Sequence, residues 1–408
     1  MPNGELRNIQ STGTTLASVY DAMLHQGHLC CDYMSTGEVK VFDAELTTEE
    51  GTAAFLTQRD RIRGAILCGA IGDAMGAQVE SQSPGNHPPA VWYKKWRGWK
   101  SGPIGTITDD TQMTWWLAES LLKYGTLNPE DVALRFTREH IRGIGQATRQ
   151  FVANFKDHQL PWYQSGVSSS GNGAAMRAAP IGIFYRNDFN ELKRVAGLQA
   201  MITHNEPMAI ASSIVMAYAT ARTLRMSVHD LDNPEKLSLF CRDLADVIKD
   251  IEKEDSYKTR NDGTPSTLAR RIGEDIPRYL EAQVTPAEFQ KEFWSGAFVL
   301  ESLPFALYCF LYSPGNFDRV LFNSVNESRD SDTVAAMACT LCGALNGLDK
   351  VVARRDQLES GDGQDCDVPP GTQIDPDKDY LEPLEFKDEL LDLADRLTRH
   401  AAVRPENS

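Results

Sequence analysis

Two short acidic clusters, more than 200 residues apart, carry the residue types that bind hard metal ions. They are Thr108-Asp109-Asp110-Thr111 and Asp330-Ser331-Asp332-Thr333. Carboxylate and hydroxyl oxygens suit Mg²⁺, Mn²⁺ or Ca²⁺, whereas zinc and copper favour imidazole and thiolate groups, which neither cluster contains. If the clusters converge in the fold, about four carboxylates and two threonine hydroxyls would surround two divalent cations.

A site with two divalent cations can orient vicinal hydroxyl groups, polarise a leaving group and lower the pKa of a bound water molecule. This chemistry predicts a hydrolase. Phosphatases are an alternative because they also use paired metal ions, but many of their sites combine histidine with carboxylates. Since both clusters lack histidine, the sequence favours a different kind of hydrolysis.

Each cluster stands directly before an apolar stretch with helical spacing, so both are predicted to lie at helix N-termini. Asp and Thr are also preferred helix caps, and a solvated acidic cap is the alternative interpretation of either cluster. A cap requires one side chain, however, while each cluster offers three or four side-chain oxygen donors. This surplus of donors favours the metal site.

A glycine-rich loop between Ser168 and Arg177 is a second candidate binding element. It leads into a predicted helix near Gly173, where backbone N–H groups could receive phosphate oxygens. A tight entry into the helix is the alternative, because the loop matches neither the Walker pattern nor a dinucleotide fingerprint. His204 precedes another long helix, a position that is more typical of a structural hydrogen-bonding residue than of a catalyst.

Composition limits the partners that the chain can bind. A formal charge of −16 disfavours nonspecific binding to nucleic acid or to an anionic membrane. No apolar run approaches the roughly 18 residues expected of a transmembrane helix, and the first residues lack the pattern of a secretory signal. The eight scattered cysteines are typical of the reducing cytoplasm. Cys339 and Cys342 are predicted to pack inside an apolar helix rather than to bind zinc.

Helical periodicity dominates from about residue 56 onwards, and alternating strand patterns are scarce. We therefore predict an all-α, compact multi-helix domain over residues 56–408, preceded by an N-terminal extension, residues 1–55. The predicted helices cover about residues 59–77, 110–124, 129–141, 145–155, 173–185, 189–201, 206–225, 234–254, 294–311, 316–324, 332–347 and 382–400.

The first of these helices carries small side chains about one turn apart, which would let another helix or a ligand approach its backbone. They are Ala65, Gly69, Gly72 and Gly76. Asp73 interrupts the apolar run beside them.

Five motifs in this order resemble the ADP-ribosylglycohydrolase family, which includes the dinitrogenase reductase-activating glycohydrolase and the ADP-ribosylarginine hydrolases. The motifs are Gly72-Asp73-Ala74-Met75-Gly76 with Glu80, Thr108 to Thr111, Gly171 to Arg177, Thr203-His204, and Asp330 to Thr333. The resemblance covers about residues 58–347. It implies an all-α domain that uses two Mg²⁺ or Mn²⁺ ions to remove ADP-ribose from modified protein side chains, often arginine.

The resemblance also implies roles for individual residues. Glu80 would act as a gate or as an acid–base group near the scissile bond, and Asp332 would bridge the metal ions, so both are the candidate catalytic residues. The implied metal ligands are Thr108, Asp109, Asp110, Asp330, Asp332 and Thr333. The residues implied to bind ADP-ribose are Ser170, Gly171, Asn172, Gly173, Met176 and His204.

The chain departs from the family pattern at two places. Many members carry Asp-Ile-Gly where this chain has Gly143-Ile144-Gly145, so a carboxylate proposed to act in catalysis in some relatives is missing. This departure shifts the role of general base towards Glu80. Many members also have Gly-Gly where this chain has Ser328-Arg329, which would alter the shape or charge of the pocket mouth.

Two functions are compatible with these features. The leading hypothesis is a metal-dependent hydrolase that reverses protein ADP-ribosylation, with ADP-ribosyl-arginine as the expected linkage. The alternative is a binding protein whose extension, residues 1–55, blocks the active site of a cognate ADP-ribosyltransferase toxin, as in immunity members of the family, with hydrolysis secondary. The alternative is suggested by the aromatic content of the extension, including Tyr20, Tyr33 and Phe42, and by the acidic charge of the chain.

Overall fold

The computed structural model describes residues 15–40, 52–84, 102–253, 256–353 and 377–402. These residues form helices joined by loops, with isolated β-bridges in place of extended strands, which confirms the predicted all-α fold. Across the same ranges, every helix is too short or too polar to cross a lipid bilayer.

The first half of the chain contains α1 Leu16–His25, α2 Thr52–Gly76, α3 Asp109–Tyr124, α4 Pro129–Arg138, α5 Gln146–Val152, α6 Trp162–Ser165, α7 Ala179–Phe184, α8 Phe189–Thr203 and α9 Pro207–Thr223. The second half contains α10 Val228–Asp232, α11 Pro234–Asp246, α12 Leu268–Arg270, α13 Ile276–Glu281, α14 Pro286–Phe293, α15 Val299–Tyr312, α16 Phe317–Asn326, α17 Ser331–Asn346, α18 Leu348–Val352 and α19 Lys387–Ala402. Short π-helical turns extend α5 and join α12 to α13.

Helices α2 and α17 pack closely against each other at the centre of the fold. Helix α17 is buried around its whole circumference from Ser331 to Leu345, as expected of a core helix. A β-carbon added at Gly72 would lie 2.4 Å from the carbonyl oxygen of Ala335, and one at Gly76 would lie 2.2 Å from that of Ser331. The small-residue stripe therefore serves helix packing, and it brings the end of α2 against the start of α17.

The second half of the chain departs most from the predicted helices. Helix α15 begins at Val299 rather than at residue 294, because Trp294 adopts φ +65° and ends α14. Helix α14 was not predicted, although Thr285 and Glu288 form a capping box at its start. These short helices carry too few turns for their periodicity to stand out.

The described part of the N-terminal extension docks on the helical domain. The Tyr33 hydroxyl donates to the backbone oxygen of Arg194 at 2.8 Å, and the Tyr33 ring fills the space beside Gly197 of α8. Lys40 forms ion pairs with Asp243 at 3.2 Å and Asp246 at 2.8 Å. The buried side chains of α1 are Leu16, Val19, Tyr20 and Met23.

Many of the apolar side chains that suggested partner binding are thus buried against other parts of the same chain. Phe42 lies outside the described residues. The domain boundary near residue 55 stays a prediction.

Candidate metal and substrate site

The two acidic clusters meet in space. Helix α3 begins at Asp109 and α17 at Ser331, so both clusters lie at helix N-termini as predicted. The Thr333 hydroxyl donates to Asp110 Oδ2 at 3.3 Å, a contact between residues 223 positions apart. The N-cap residues Thr108 and Asp330 make no side-chain capping hydrogen bond. Helix capping therefore does not account for either cluster.

The start of α17 contributes to a group of three carboxylates. Glu80, Asp330 and Asp332 each present an oxygen, and these oxygens lie within 4.8 Å of one another. Glu80 lies in the turn after α2, where the neighbouring Ser81 N–H donates to the backbone oxygen of Arg329 at 2.7 Å. This bond holds the turn beside α17. Three carboxylates at this spacing suit a hard divalent cation.

The start of α3 is held by Asp73, a completely buried residue of α2. Its carboxylate accepts the hydroxyl proton of Thr108 at 2.6 Å and that of Thr111 at 2.5 Å. It also accepts the backbone N–H groups of both threonines, at 3.0 and 3.1 Å. Because the Thr108 proton points towards Asp73, lone pairs of its oxygen remain for a cation.

Asp73 is a site residue that the sequence reasoning did not assign. The available signal was a carboxylate inside an apolar helix, because a buried charge requires partners. Its partners lie 35 and 38 positions later in the chain, which the sequence alone does not reveal.

Electrostatic strain within the site favours a bound cation. Burial raises the pKa values of Asp109, Asp110 and Asp332, and the charges of neighbouring carboxylates raise them further. The Asp110 Oδ1 atom is buried without a hydrogen-bond partner. A divalent cation would satisfy this oxygen and offset the repulsion between the carboxylates, so the residues present fit a metal site.

A cavity of about 240 Å³ lies over the carboxylates. The predicted site residues that line it are Glu80, Asp109, Gly171, Asn172, Gly173, Met176, His204, Asp330, Asp332 and Thr333. Ser169 lines the cavity in place of the predicted Ser170, whose backbone oxygen accepts from Val299 N–H at 3.0 Å and whose hydroxyl bonds to Glu206. Thr108 and Asp110 lie behind the wall, in contact with Asp73 and Thr333 respectively.

The glycine-rich loop links this wall to α17. Asn172 Nδ2 donates to Asp330 Oδ2 at 2.5 Å and to the Ser302 hydroxyl at 3.1 Å. Residues 172–174 form a 3₁₀ turn, so the α-helix predicted near Gly173 begins later, at Ala179. The loop nevertheless places an amide against a carboxylate of the second acidic cluster.

His204 supports the same loop from behind. Its Nδ1 lies 2.7 Å from the Thr203 hydroxyl oxygen, which accepts from Arg177 at 2.7 Å. Burial and the charge of Arg177 lower the pKa of His204 to about 3, so the imidazole is neutral at physiological pH. A β-carbon at Gly173 would come within 3.0 Å of the His204 ring. The structural role expected of His204 is therefore present, and its ring also faces the cavity.

The family model of the ADP-ribosylglycohydrolases matches residues 56–407. This chain belongs to the ADP-ribosylglycohydrolase family. It is 27% identical over 328 residues to the human ADP-ribosylhydrolase ARH3, covering 71% of this chain and 86% of that protein. It is 26% identical over 298 residues to the ADP-ribosyl-[dinitrogen reductase] glycohydrolase of Rhodospirillum rubrum, covering 72% and 87% of the two chains.

A solved structure supports the same assignment. An ADP-ribosylglycohydrolase-related protein complex superposes with a TM-score of 0.58 at 25% identity, covering 85% of this chain and 99% of that one. The resemblance inferred from the five sequence motifs is thus confirmed.

The first departure from the family pattern lies at the cavity. Gly143 lines the cavity with φ +77°, and a β-carbon there would lie 2.8 Å from Asp109 Oδ1. The departure therefore lies directly against the first acidic cluster. The other lining residues, which were not predicted to bind metal or substrate, are Gly145, Gln146, Ala147, Thr148, Ser169 and Ala297.

Proposed function

We propose that this glycohydrolase uses divalent cations to remove ADP-ribose from modified protein side chains, with arginine as the first linkage to test. The observation that carries the proposal is the convergence of the two acidic helix starts, marked by the bond from Thr333 to Asp110 beside the cavity. Two relatives support it, since they are named as an ADP-ribosylhydrolase and as an ADP-ribosyl glycohydrolase.

We assign the cation ligands to the two helix starts, with two Mg²⁺ or Mn²⁺ ions as the proposed complement. Such ions would supply positive charge to hold the ribose hydroxyl groups and to acidify water next to the anomeric carbon. Asp73 orients the Thr108 oxygen, and Asn172 orients the Asp330 carboxylate. The proposed ligands are Thr108, Asp109, Asp110, Asp330, Asp332 and Thr333.

The glycine-rich loop is the proposed wall for the diphosphate and ribose groups. Gly171 and Gly173 lack side chains where they line the cavity, so a ligand can approach the backbone closely. Met176 adds apolar surface to the same wall. His204, which is neutral, would add no charge opposing a diphosphate, but its ring can contribute a hydrogen bond.

Proton transfer is assigned to Glu80. Its carboxylate lines the cavity and faces Asp330 and Asp332. It can accept a proton from the attacking water and donate it to the departing side chain, while the neighbouring carboxylates stabilise positive charge developing on the ribose. Because Gly143 supplies no carboxylate, acid–base catalysis falls to Glu80 and the two acidic clusters.

The toxin-blocking alternative loses part of its basis. Tyr20 and Tyr33, which suggested a partner-binding extension, are buried against the chain's own helices. A cytoplasmic location remains the proposal from cysteine usage, since Cys68, Cys309 and Cys339 are buried free thiols.

The proposed function is tested by incubating the full chain with arginine-linked and serine-linked ADP-ribosyl peptides, with and without Mg²⁺. Cation-dependent release of free ADP-ribose is expected, first from the arginine linkage. Serine-selective release would correct the linkage only. A folded protein that releases no ADP-ribose from any substrate at millimolar Mg²⁺ or Mn²⁺ would contradict the proposal.

A further inference from the structure

A second, smaller cavity of about 220 Å³ lies outside the carboxylate site. Its lining residues are Asn261, Gln290, Lys291, Trp294 and Arg329. Asn261 and Lys291 also line an adjoining cavity of about 1160 Å³ together with Asp262, Glu288 and Glu292, so the charge of Lys291 is offset by neighbouring carboxylates. Arg329 is the other cation of the small cavity, in a chain whose formal charge is −16. An arginine without a neighbouring carboxylate in its cavity, on an acidic protein, indicates an anionic ligand.

The side chain of Arg329 has unused hydrogen-bonding capacity in this cavity. Its guanidinium carbon lies 4.7 Å from the centre of the Trp294 ring, and its buried Nε has no hydrogen-bond partner. Arg260 also approaches the Trp294 ring, at 5.3 Å, but donates to Glu301 at 2.8 Å. Arg260 is therefore neutralised, whereas Arg329 retains donors for a ligand.

Trp294, whose ring packs against Arg329, has an unusual backbone conformation. Its φ of +65° and ψ of 178° are strained for a bulky residue, and its N–H donates to the Gln290 oxygen at 2.8 Å. Such strain is concentrated at functional sites, where a side chain must occupy a particular position. Here the strained residue places its indole ring beneath Arg329.

Hydrogen bonds connect the residues around the small cavity to the carboxylate site. Ser295, next to Trp294, accepts the N–H of Arg329 at its hydroxyl, 3.1 Å away. Its backbone oxygen accepts the N–H of Asp330 at 3.0 Å. The Arg329 backbone oxygen also holds the turn that carries Glu80, through Ser81. A substrate in the larger cavity would therefore have its neighbouring groups close to Arg329.

We propose that this cavity binds a carboxylate side chain of the modified protein, next to the residue that carries ADP-ribose. The inference depends on the proposed function, because it concerns the protein side of the same substrate. The planar guanidinium of Arg329 can bind a carboxylate through two hydrogen bonds, and Lys291 and the amide of Asn261 add donors. The acidic chain as a whole disfavours an extended nucleic acid, whereas one carboxylate requires only this local charge.

The test compares two ADP-ribosylated peptides that differ only in having Glu or Gln at the positions flanking the modified residue. Each peptide is prepared with arginine and with serine linkages, and kcat/KM is measured for the full chain with Mg²⁺. Wild type is expected to favour the Glu peptide about tenfold, consistent with one charge-assisted contact. Raising the salt concentration should reduce this preference.

The variant Arg329→Gln should bring the ratio of the two kcat/KM values to about one, because it removes the charge-assisted contact. Arg270→Gln is the matched control, since it removes the same charge from an exposed residue that pairs with Glu274 at 3.7 Å. This control should keep the wild-type ratio. The ratio is internal to each variant, so a general loss of activity does not affect it.

Equal kcat/KM values for the Glu and Gln peptides in wild type would overturn the inference, as would an unchanged preference in Arg329→Gln. Faster release from an ADP-ribosylated oligonucleotide than from both peptides would overturn the assignment to a protein carboxylate. Failure to release ADP-ribose from any of these substrates would instead overturn the proposed function.

Discussion

The starts of α3 and α17 carry similar acidic motifs but are held in different ways. Behind α3, the buried Asp73 accepts hydrogen bonds from four donors, the N–H and hydroxyl groups of Thr108 and Thr111. The start of α17 packs against Gly76 of α2, and its Asp330 carboxylate also accepts from Asn172 of the glycine-rich loop on the cavity side.

The first cluster is thus held by a carboxylate inside the core, whereas one contact of the second cluster comes from a wall that substrate would touch. Two similar sequence motifs are therefore anchored by different surroundings within one site.

The largest effect is expected from removing the α17 half. The double variant Asp330→Ala with Asp332→Ala should lower ADP-ribose release by roughly 1,000-fold or more, because bound cations stabilise transition-state charge by several kcal/mol. Release is measured by chromatography, and circular dichroism checks that the helices remain. Wild-type turnover in a folded double variant would show that the carboxylates of α17 do not contribute to the site.

Loss of the anchor behind α3 should affect both binding and folding. Asp73→Asn places an amide donor against the N–H and hydroxyl groups of Thr111, so we expect cation affinity to fall about 10- to 100-fold, with a lower melting temperature. Calorimetry of Mn²⁺ binding and thermal unfolding measure the two effects.

A matched pair of threonine variants separates the two roles of this anchor. Thr108→Val removes a proposed ligand and a bond to Asp73, while Thr111→Val removes only such a bond. Equal loss of Mn²⁺ affinity in both variants would show that Thr108 is not a ligand.

A smaller effect is expected where the chain lacks the family carboxylate. Gly143→Ala introduces a β-carbon 2.8 Å from Asp109 Oδ1 and forces a left-handed backbone conformation, which costs about 1–2 kcal/mol. Because the new β-carbon would displace the Asp109 carboxylate, we expect about tenfold weaker Mn²⁺ binding, equivalent to about 1.4 kcal/mol. Gly263→Ala, at φ +71° in open space, is the control for backbone strain alone. Equal Mn²⁺ affinity in the two variants would rule out the contact with Asp109.

The smallest effect concerns a buried carboxylate outside both helix starts. Burial raises the pKa of Glu252 from 4.5 to about 8, and only one of its oxygens has a hydrogen-bond partner. The folded state then binds a proton more tightly than the unfolded state, so stability is lost as the pH rises from 4.5 to about 8.

Glu252→Gln should therefore raise the melting temperature by a few degrees at pH 8.5 and leave it nearly unchanged at pH 4. Thermal unfolding at the two pH values measures this difference. A uniform shift at both would contradict the role of ionisation, and altered Mn²⁺ binding would show that Glu252 is not independent of the site.

Local features of the site could be predicted from sequence because each depends on residues close together in one helix. The glycine stripe of α2 and the acidic starts of α3 and α17 depend on spacing within one element. Trp294 stands in an apolar run that predicts a continuous helix, and only its tertiary surroundings explain its positive φ.

The composition of the N-terminal extension predicted burial of its aromatic residues but not the surface that buries them. Aromatic residues such as Tyr33 indicate a buried interface, but they do not distinguish a partner protein from the chain's own α8. The role of Asp73 could not be predicted for a similar reason, because its hydrogen-bond partners are distant in sequence.

The central claim, that the two helix starts form one cation site, is tested most directly by Mn²⁺ binding to wild type, Asp110→Asn and Asp332→Asn. Isothermal titration calorimetry should detect binding to wild type and at least about tenfold weaker binding to each variant. Wild-type affinity in either folded variant, or no Mn²⁺ binding by wild type at millimolar concentration, would contradict a shared site.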